Sequence, residues 1–154
     1  MATQIFVNLP VESLEKSIAF FTELGYTFNP QFTDEKATCM VISDTIYIML
    51  LTVPFFKTFT TKEIVDAHKA VECSICLSAD SKEAVDAIVE KAKAAGATIP
   101  NPASDYGWMY QHSFADLDGH HWEHVWMDPN GMPQKQVQGL SPVATSITAA
   151  QLGC

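Results

Sequence analysis

Hydrophobic and polar positions alternate through Ile5–Val11 (IFVNLPV), with Val7, Leu9 and Val11 on one face and Phe6, Asn8 and Pro10 on the other, the pattern of a half-buried strand. Ser13 follows as a plausible helix N-cap, and Leu14, Ile18, Phe21 and Leu24 recur at helical spacing, predicting a helix over about 14–24 that Gly25 ends. Strand-like segments come next at about 27–33, 37–43 and 46–52, separated by Asp34-Glu35-Lys36 and Ser43-Asp44-Thr45, both good turn material. The pattern restarts near Glu72. Ile75, Leu77 and Ala79 alternate with Ser74, Cys76 and Ser78, and Asp80-Ser-Lys-Glu83 reads as a capping box with Asp80 as cap. A helix to about Ala95 then presents Val85, Ile88, Val89 and Ala92 on one stripe, Gly96 stops it, and strands are predicted at about 97–99, 108–116 and 120–127.

The order strand, capped helix, glycine, three strands therefore occurs twice, with Leu9 matching Leu77 and Gly25 matching Gly96. The modules span about 4–53 and 72–128. The connector 54–71 carries Phe55, Phe56 and Phe59 and a short helical pattern over Thr61–Lys69; its phenylalanines pack it onto the body or cover a pocket mouth. From 129 to 154 the chain is rich in Gly, Pro, Gln, Ser, Thr and Ala, which predicts a tail outside the core.

The second module closes on SFADLDGHHWEHVW. Asp118-Gly119 between alternating runs predicts a hairpin with a two-residue turn, which sets Phe114 opposite Glu123 and His112 opposite Val125. His121 and Glu123 then share a face, with His112 within cross-strand reach, a His-His-Glu set able to ligate a metal or move a proton. Equally, these are the surface residues of a solvated hairpin.

Composition narrows the chemistry. The chain of 154 residues is 47% hydrophobic with mean hydropathy +0.06, enough for one well-formed core. Net charge is −9 and every basic residue is lysine, which argues against nucleic acid as a partner and removes the bidentate guanidinium clamp for anionic substrates. No secretory leader or membrane-length apolar run stands out, and Cys39, Cys73, Cys76 and Cys154 read as reduced thiols; the expectation is a cytoplasmic protein.

The doubled βαβββ unit, opening with LPVESLEKSIAFFTELG and closing with Phe114, Asp116, Asp118, Gly119, Trp122 and Glu123 of an FxDxDGxxWE motif, resembles the vicinal oxygen chelate superfamily of glyoxalases, bleomycin-resistance proteins, extradiol dioxygenases and fosfomycin-resistance enzymes. The resemblance covers roughly residues 4–128. It implies an α+β fold of two tandem βαβββ modules, a half-open eight-stranded cup that holds the site, and a homodimer. In metal-dependent members four inward positions supply the ligands, and these fall here on Phe6, Leu50, Ser74 and Glu123, of which only Glu123 ligates a divalent ion well. A divalent metal is thus implied by the family without its usual ligand set; His121 and His112 are the substitutes on offer. The expected inner face carries Phe6, Asn8, Leu50, Ser74, Cys76 and Phe114 as ligand-binding residues, Glu123 as acid or base, and Trp108 and Tyr110 at the rim, where an aromatic ring stacks on a planar ligand. Two functions follow: a metal-dependent lyase or dioxygenase, or a non-catalytic protein that sequesters a small molecule.

Overall fold

The computed structural model describes residues 1–133. Two four-stranded mixed sheets, each with its own helix, make up the fold. In the first, β1 (Ile5–Val11) lies parallel to β4 (Ile46–Thr52), followed by antiparallel β3 (Ala37–Val41) and β2 (Thr27–Asn29). In the second, β5 (Ser74–Ser78) lies parallel to β8 (His121–Met127), followed by antiparallel β7 (Met109–Ala115) and β6 (Ser104–Asp105). The strand orders β1-β4-β3-β2 and β5-β8-β7-β6 are the same plan twice.

The helices explain why each half folds alike. Ser13 and Ser81 both sit in extended backbone and accept a hydrogen bond from the third residue on, Lys16 N and Ala84 N, which starts α1 (Leu14–Glu23) and α3 (Lys82–Ala94). The second cap is thus Ser81, one residue beyond the expected Asp80. Both helices end in a Schellman turn: Tyr26 N bonds Phe21 O and Ala97 N bonds Ala92 O, around Gly25 and Gly96 at φ +99° and +108°.

Three expected elements differ. The 61–69 stretch forms turns, and the short helix falls earlier, at α2 (Val53–Phe56) with a 3-10 turn at Lys57–Phe59, because Pro54 favours a helix start there. The segment 97–99 contributes a single bridge, Thr98 to Ala115. The expected strand 27–33 stops at Asn29, where Pro30 begins a 3-10 turn. Of the expected tail 129–154, residues 134–154 lie outside the described residues.

One core serves both modules. Leu9, Val11, Ile48 and Leu50 of the first sheet, Phe20 and Phe21 of α1, Val89 and Ala92 of α3, and Phe114 and Trp122 of the second sheet belong to one buried cluster. Trp122 is fully buried, its ring 5.1 Å from Phe21 of the other module. Losing a buried aromatic of this kind costs about 3–5 kcal/mol. Trp126 lies under the Lys82 ammonium, 5.7 Å from its ring centre, at the start of α3.

The β7–β8 hairpin carries the polar link between modules. Asp116, 5% exposed, accepts hydrogen bonds from Asp118 N and His120 N on one oxygen and from the Trp122 indole, at 2.9 Å, on the other. Burial pushes its carboxyl above the ordinary range, while nearby His120, the indole and the backbone amides pull the other way. Asp118 reaches across to the first module, accepting from Glu12 N at 2.8 Å and from the Ser17 hydroxyl at 3.3 Å, at the N-terminus of α1. The His120 ring donates to the Pro10 carbonyl at 2.7 Å.

These bonds settle the register. Asp116 and His120 close a three-residue loop, Leu117-Asp118-Gly119, with Gly119 at φ +88°, in place of the expected two-residue turn. Ser113 therefore pairs with Glu123, Phe114 with Trp122 and His112 with His124. A one-residue slip moves every β7 side chain to the other face. His112 and Phe114 accordingly point to the helices.

Two predictions follow from this packing. A methyl at Gly119 would stand 2.6 Å from His68 N and 2.7 Å from the Ala67 carbonyl carbon, both backbone, so Gly119→Ala should destabilise the fold by about 2 kcal/mol or more, and Asp116→Ala by about 3 kcal/mol, in urea unfolding. His124, 4% exposed and pushed down to about 4 by burial, stays neutral when folded and takes a proton on unfolding below its ordinary 6.5. Stability should hold above pH 6.5 and fall by up to about 3 kcal/mol as pH drops to 4, and His124→Phe should flatten that limb.

Candidate functional site

Each sheet has one face against the helices and one open face. On the first sheet, Phe6, Asn8 and Pro10 of β1 stand in register with Tyr47, Met49 and Leu51 of β4, and Cys39 of β3 pairs with Met49. On the second, Ser74 and Cys76 of β5 pair with His121 and Glu123 of β8, and Ser113 of β7 also pairs with Glu123. Parallel and antiparallel partners share a face, so these residues lie on the two faces turned from the helices, with Cys39 and Leu51 buried beneath their neighbours.

Of the residues expected at the site, the fold brings Ser74, Cys76, His121 and Glu123 together and sets Phe6 and Asn8 on the matching face of the first sheet. It turns four others away. Leu50, in register with Leu9, is fully buried against the helices; Phe114 is fully buried; His112 faces α3, its Nδ1 3.8 Å from Asp86; and Tyr110 donates to Asp86 at 2.7 Å. The shifted hairpin explains His112, Phe114 and Tyr110 together, since all three lie on β7 at alternate positions. For Leu50 the repeat itself gives the reason. Leu9 and Leu77 each precede their capping serine by four residues and pair with Leu50 and His124, so Glu123 corresponds to Met49. Trp108 is half-buried in the turn before β7, its carbonyl accepting from Asp128 N.

His121 Nε2 lies 3.5 Å from Glu123 Oε1, and the two side chains are a quarter and a third exposed. The Cys76 thiol beside them is pushed up, first by burial and then by the Glu123 charge, so it stays protonated at neutral pH and is a poor nucleophile. A carboxylate and an imidazole this close can pass a proton to or from a ligand on the open face.

The donor set does not fit a metal centre of the usual kind. Positions equivalent by register carry Met49 opposite Glu123 in the repeat, with Phe6 and Ser74 on the first strands. Among the described residues no three His, Cys, Asp or Glu side chains are grouped to hold an ion. His112, the third member of the expected set, points to the other side of the sheet. An open catalytic site needs about three protein ligands.

Three cavities flank these surfaces. One of about 370 Å³ lies where the modules meet, between Asn8 and Pro10 of β1 and His121 of β8, with Phe56, Ile64 and Val65 of the connector over it. The connector thus covers a cavity with one of its phenylalanines. A second, about 820 Å³, runs beneath the same connector beside Lys57, Asp118 and His120, the last two already engaged in holding the hairpin. The third, about 490 Å³, opens on the first sheet and is lined by Gln4, Phe6, Asn29, Phe32, Cys39, Tyr47 and Met49. Of its lining, sequence reasoning singled out Phe6 as a site residue; the β1–β4 pairing adds Tyr47 and Met49 to the same face.

Comparisons with known proteins agree with this fold. Residues 3–43 match the family model of the bleomycin resistance protein-like N-terminal domain. No curated protein matches the chain. Among solved structures, a hypothetical protein from S. aureus is similar at TM-score 0.70 and 28% identity, over 82% of this chain and 94% of that one. A glyoxalase/bleomycin resistance protein/dioxygenase family enzyme from Burkholderia phytofirmans PsJN is similar at TM-score 0.68 and 18% identity, over 82% and 99%. A fosfomycin resistance protein from Listeria monocytogenes is similar at TM-score 0.59 and 21% identity, over 82% and 91%. Two βαβββ modules on one plan give the chain the fold of the glyoxalase/bleomycin resistance structures, and the matched N-terminal segment supports its resemblance to the vicinal oxygen chelate superfamily.

The Cys76–Glu123 contact is open to test. Glu123→Gln removes the charge that adds to burial in raising the thiol, so Cys76 should be alkylated by iodoacetamide faster at pH 8 in the variant, followed by peptide mass spectrometry. An unchanged rate would place the two groups out of electrostatic reach.

Proposed function

We propose that this protein binds a small, uncharged or cationic molecule on the open faces of its two modules and sequesters it without chemistry, as a cytoplasmic homodimer. The observation that carries the reading is the site's donor set: of the four equivalent positions, Glu123 alone bears a side chain that holds a divalent ion well, and its counterpart in the repeat is Met49. The match of residues 3–43 to a bleomycin resistance-like segment supports it, as does a charge of −9 with no arginine, which disfavours anionic ligands. Phe6 of β1 and Phe32 of the turn after β2, 51% and 62% exposed, give a ligand or a second copy of the chain apolar surface to cover.

A second reading, a metal-dependent lyase or dioxygenase, is favoured by the 3.5 Å approach of His121 to Glu123, with Glu123 as ligand or general base. No helix among the described residues is long and apolar enough to cross a membrane.

Elemental analysis of protein purified without added metal separates the two. Sequestration predicts Ni, Zn and Fe well below one equivalent per chain. A full equivalent that disappears in Glu123→Gln would establish the enzymatic reading instead. Light scattering on the same sample reads the dimer.

A further inference from the structure

The open faces of the two sheets differ in chemistry although their backbones repeat. The second carries serine, thiol, imidazole and carboxylate groups; the first carries Phe6, Tyr47, Met49 and Cys39. On that first face the Phe6 and Tyr47 rings are stacked, centroids 4.9 Å apart and planes within 12°. They stand in register on neighbouring strands, so the pair is fixed by the sheet itself.

From this pair the 490 Å³ cavity runs across the sheet over Met49 and Cys39 to Asn29 at the end of β2 and Phe32 just past it. Crossing from β1 to β2 takes three strand spacings, about 14 Å. An aromatic wall stands at one end, a second phenylalanine at the other, and two soft, polarisable sulfurs form the floor. None of the lining side chains is charged. The polar groups are the amides of Gln4 and Asn29 and the Tyr47 hydroxyl, with Gln4 Nε2 donating to the Asp44 carbonyl and the Tyr47 hydroxyl at 3.4 and 3.5 Å.

We propose that this slot takes a planar, uncharged aromatic ring system of two or three fused rings, which extends the Phe6–Tyr47 stack. The inference rests on the small-molecule-binding reading above and names its ligand class. Flatness is selected because π-faces prefer offset-stacked partners at this spacing, and neutrality because an ion entering here meets no counter-charge. The amides at the two ends suit ring carbonyl or ring N–H groups.

The test uses the full chain and acridone, a neutral tricycle, followed by its fluorescence, beside proflavine (planar, cationic), 9-anthracenecarboxylate (planar, anionic) and camphor (neutral, not planar). Acridone should bind saturably at one per chain and more tightly than the other three. Phe6→Ala should weaken it about tenfold or more, whereas Phe6→Trp retains it. Phe6 is half exposed, so the alanine variant keeps the core intact. Failure of acridone to bind, or an unchanged affinity in Phe6→Ala, overturns the proposal. If camphor or proflavine still raises the melting temperature when acridone does not bind, the slot assignment alone falls. Should none of the four bind while a full equivalent of metal is present, the sequestration reading falls with it.

Discussion

A buried carboxylate organises this molecule. Asp116 ties the hairpin loop and the Trp122 indole to one point, and Asp118, two residues on, reaches the start of α1 in the other module. An unpaired buried carboxylate is costly, and three directed donors offset that cost only in one arrangement of the loop. The arrangement fixes the β7–β8 register, the register decides which side chains face the helices, and that choice builds the shared core and the open face together. Structure and site therefore have one cause.

That dependence explains how a duplicated fold supports two unlike surfaces. The helix-facing positions of both modules must fit a common core, so Leu9, Ile48 and Leu50 correspond to packing residues in the second half. The open positions have no such duty. They carry a sulfur- and aromatic-lined face on one sheet and an ionisable face on the other. Met49 standing where the repeat has Glu123 is the plainest instance: backbone and register are the same, and the thioether does not favour a hard divalent ion.

Much of this plan was legible in the chain. Alternation in β1, the capping serine and terminal glycine of α1, and the recurrence of the same order after Glu72 gave the modules and their topology, because hydrophobic period and cap chemistry are local properties. The face assignments were less accessible. A two-residue Asp-Gly turn and a three-residue loop ending in glycine look alike in sequence; the difference lies in Asp116 accepting from residues 118 and 120, a contact the folded loop makes. One residue of register then separated His112 and Phe114 from the open face. Leu50 reaches the open face only by matching the family's inward positions, and the apolar run IYIMLLT carries no alternation that would correct the match by one residue. Glu123 and His121 share a face because β8 alternates cleanly with the tryptophans.

Hydrogen–deuterium exchange of the Trp122 indole, followed by NMR beside those of Trp108 and Trp126, bears on the central bond most directly. Bonded to Asp116 inside the shared core, the Trp122 proton should exchange only through global unfolding, orders of magnitude more slowly than the other two. Exchange at a rate common to all three indoles would mean that no such bond fixes the hairpin in the core.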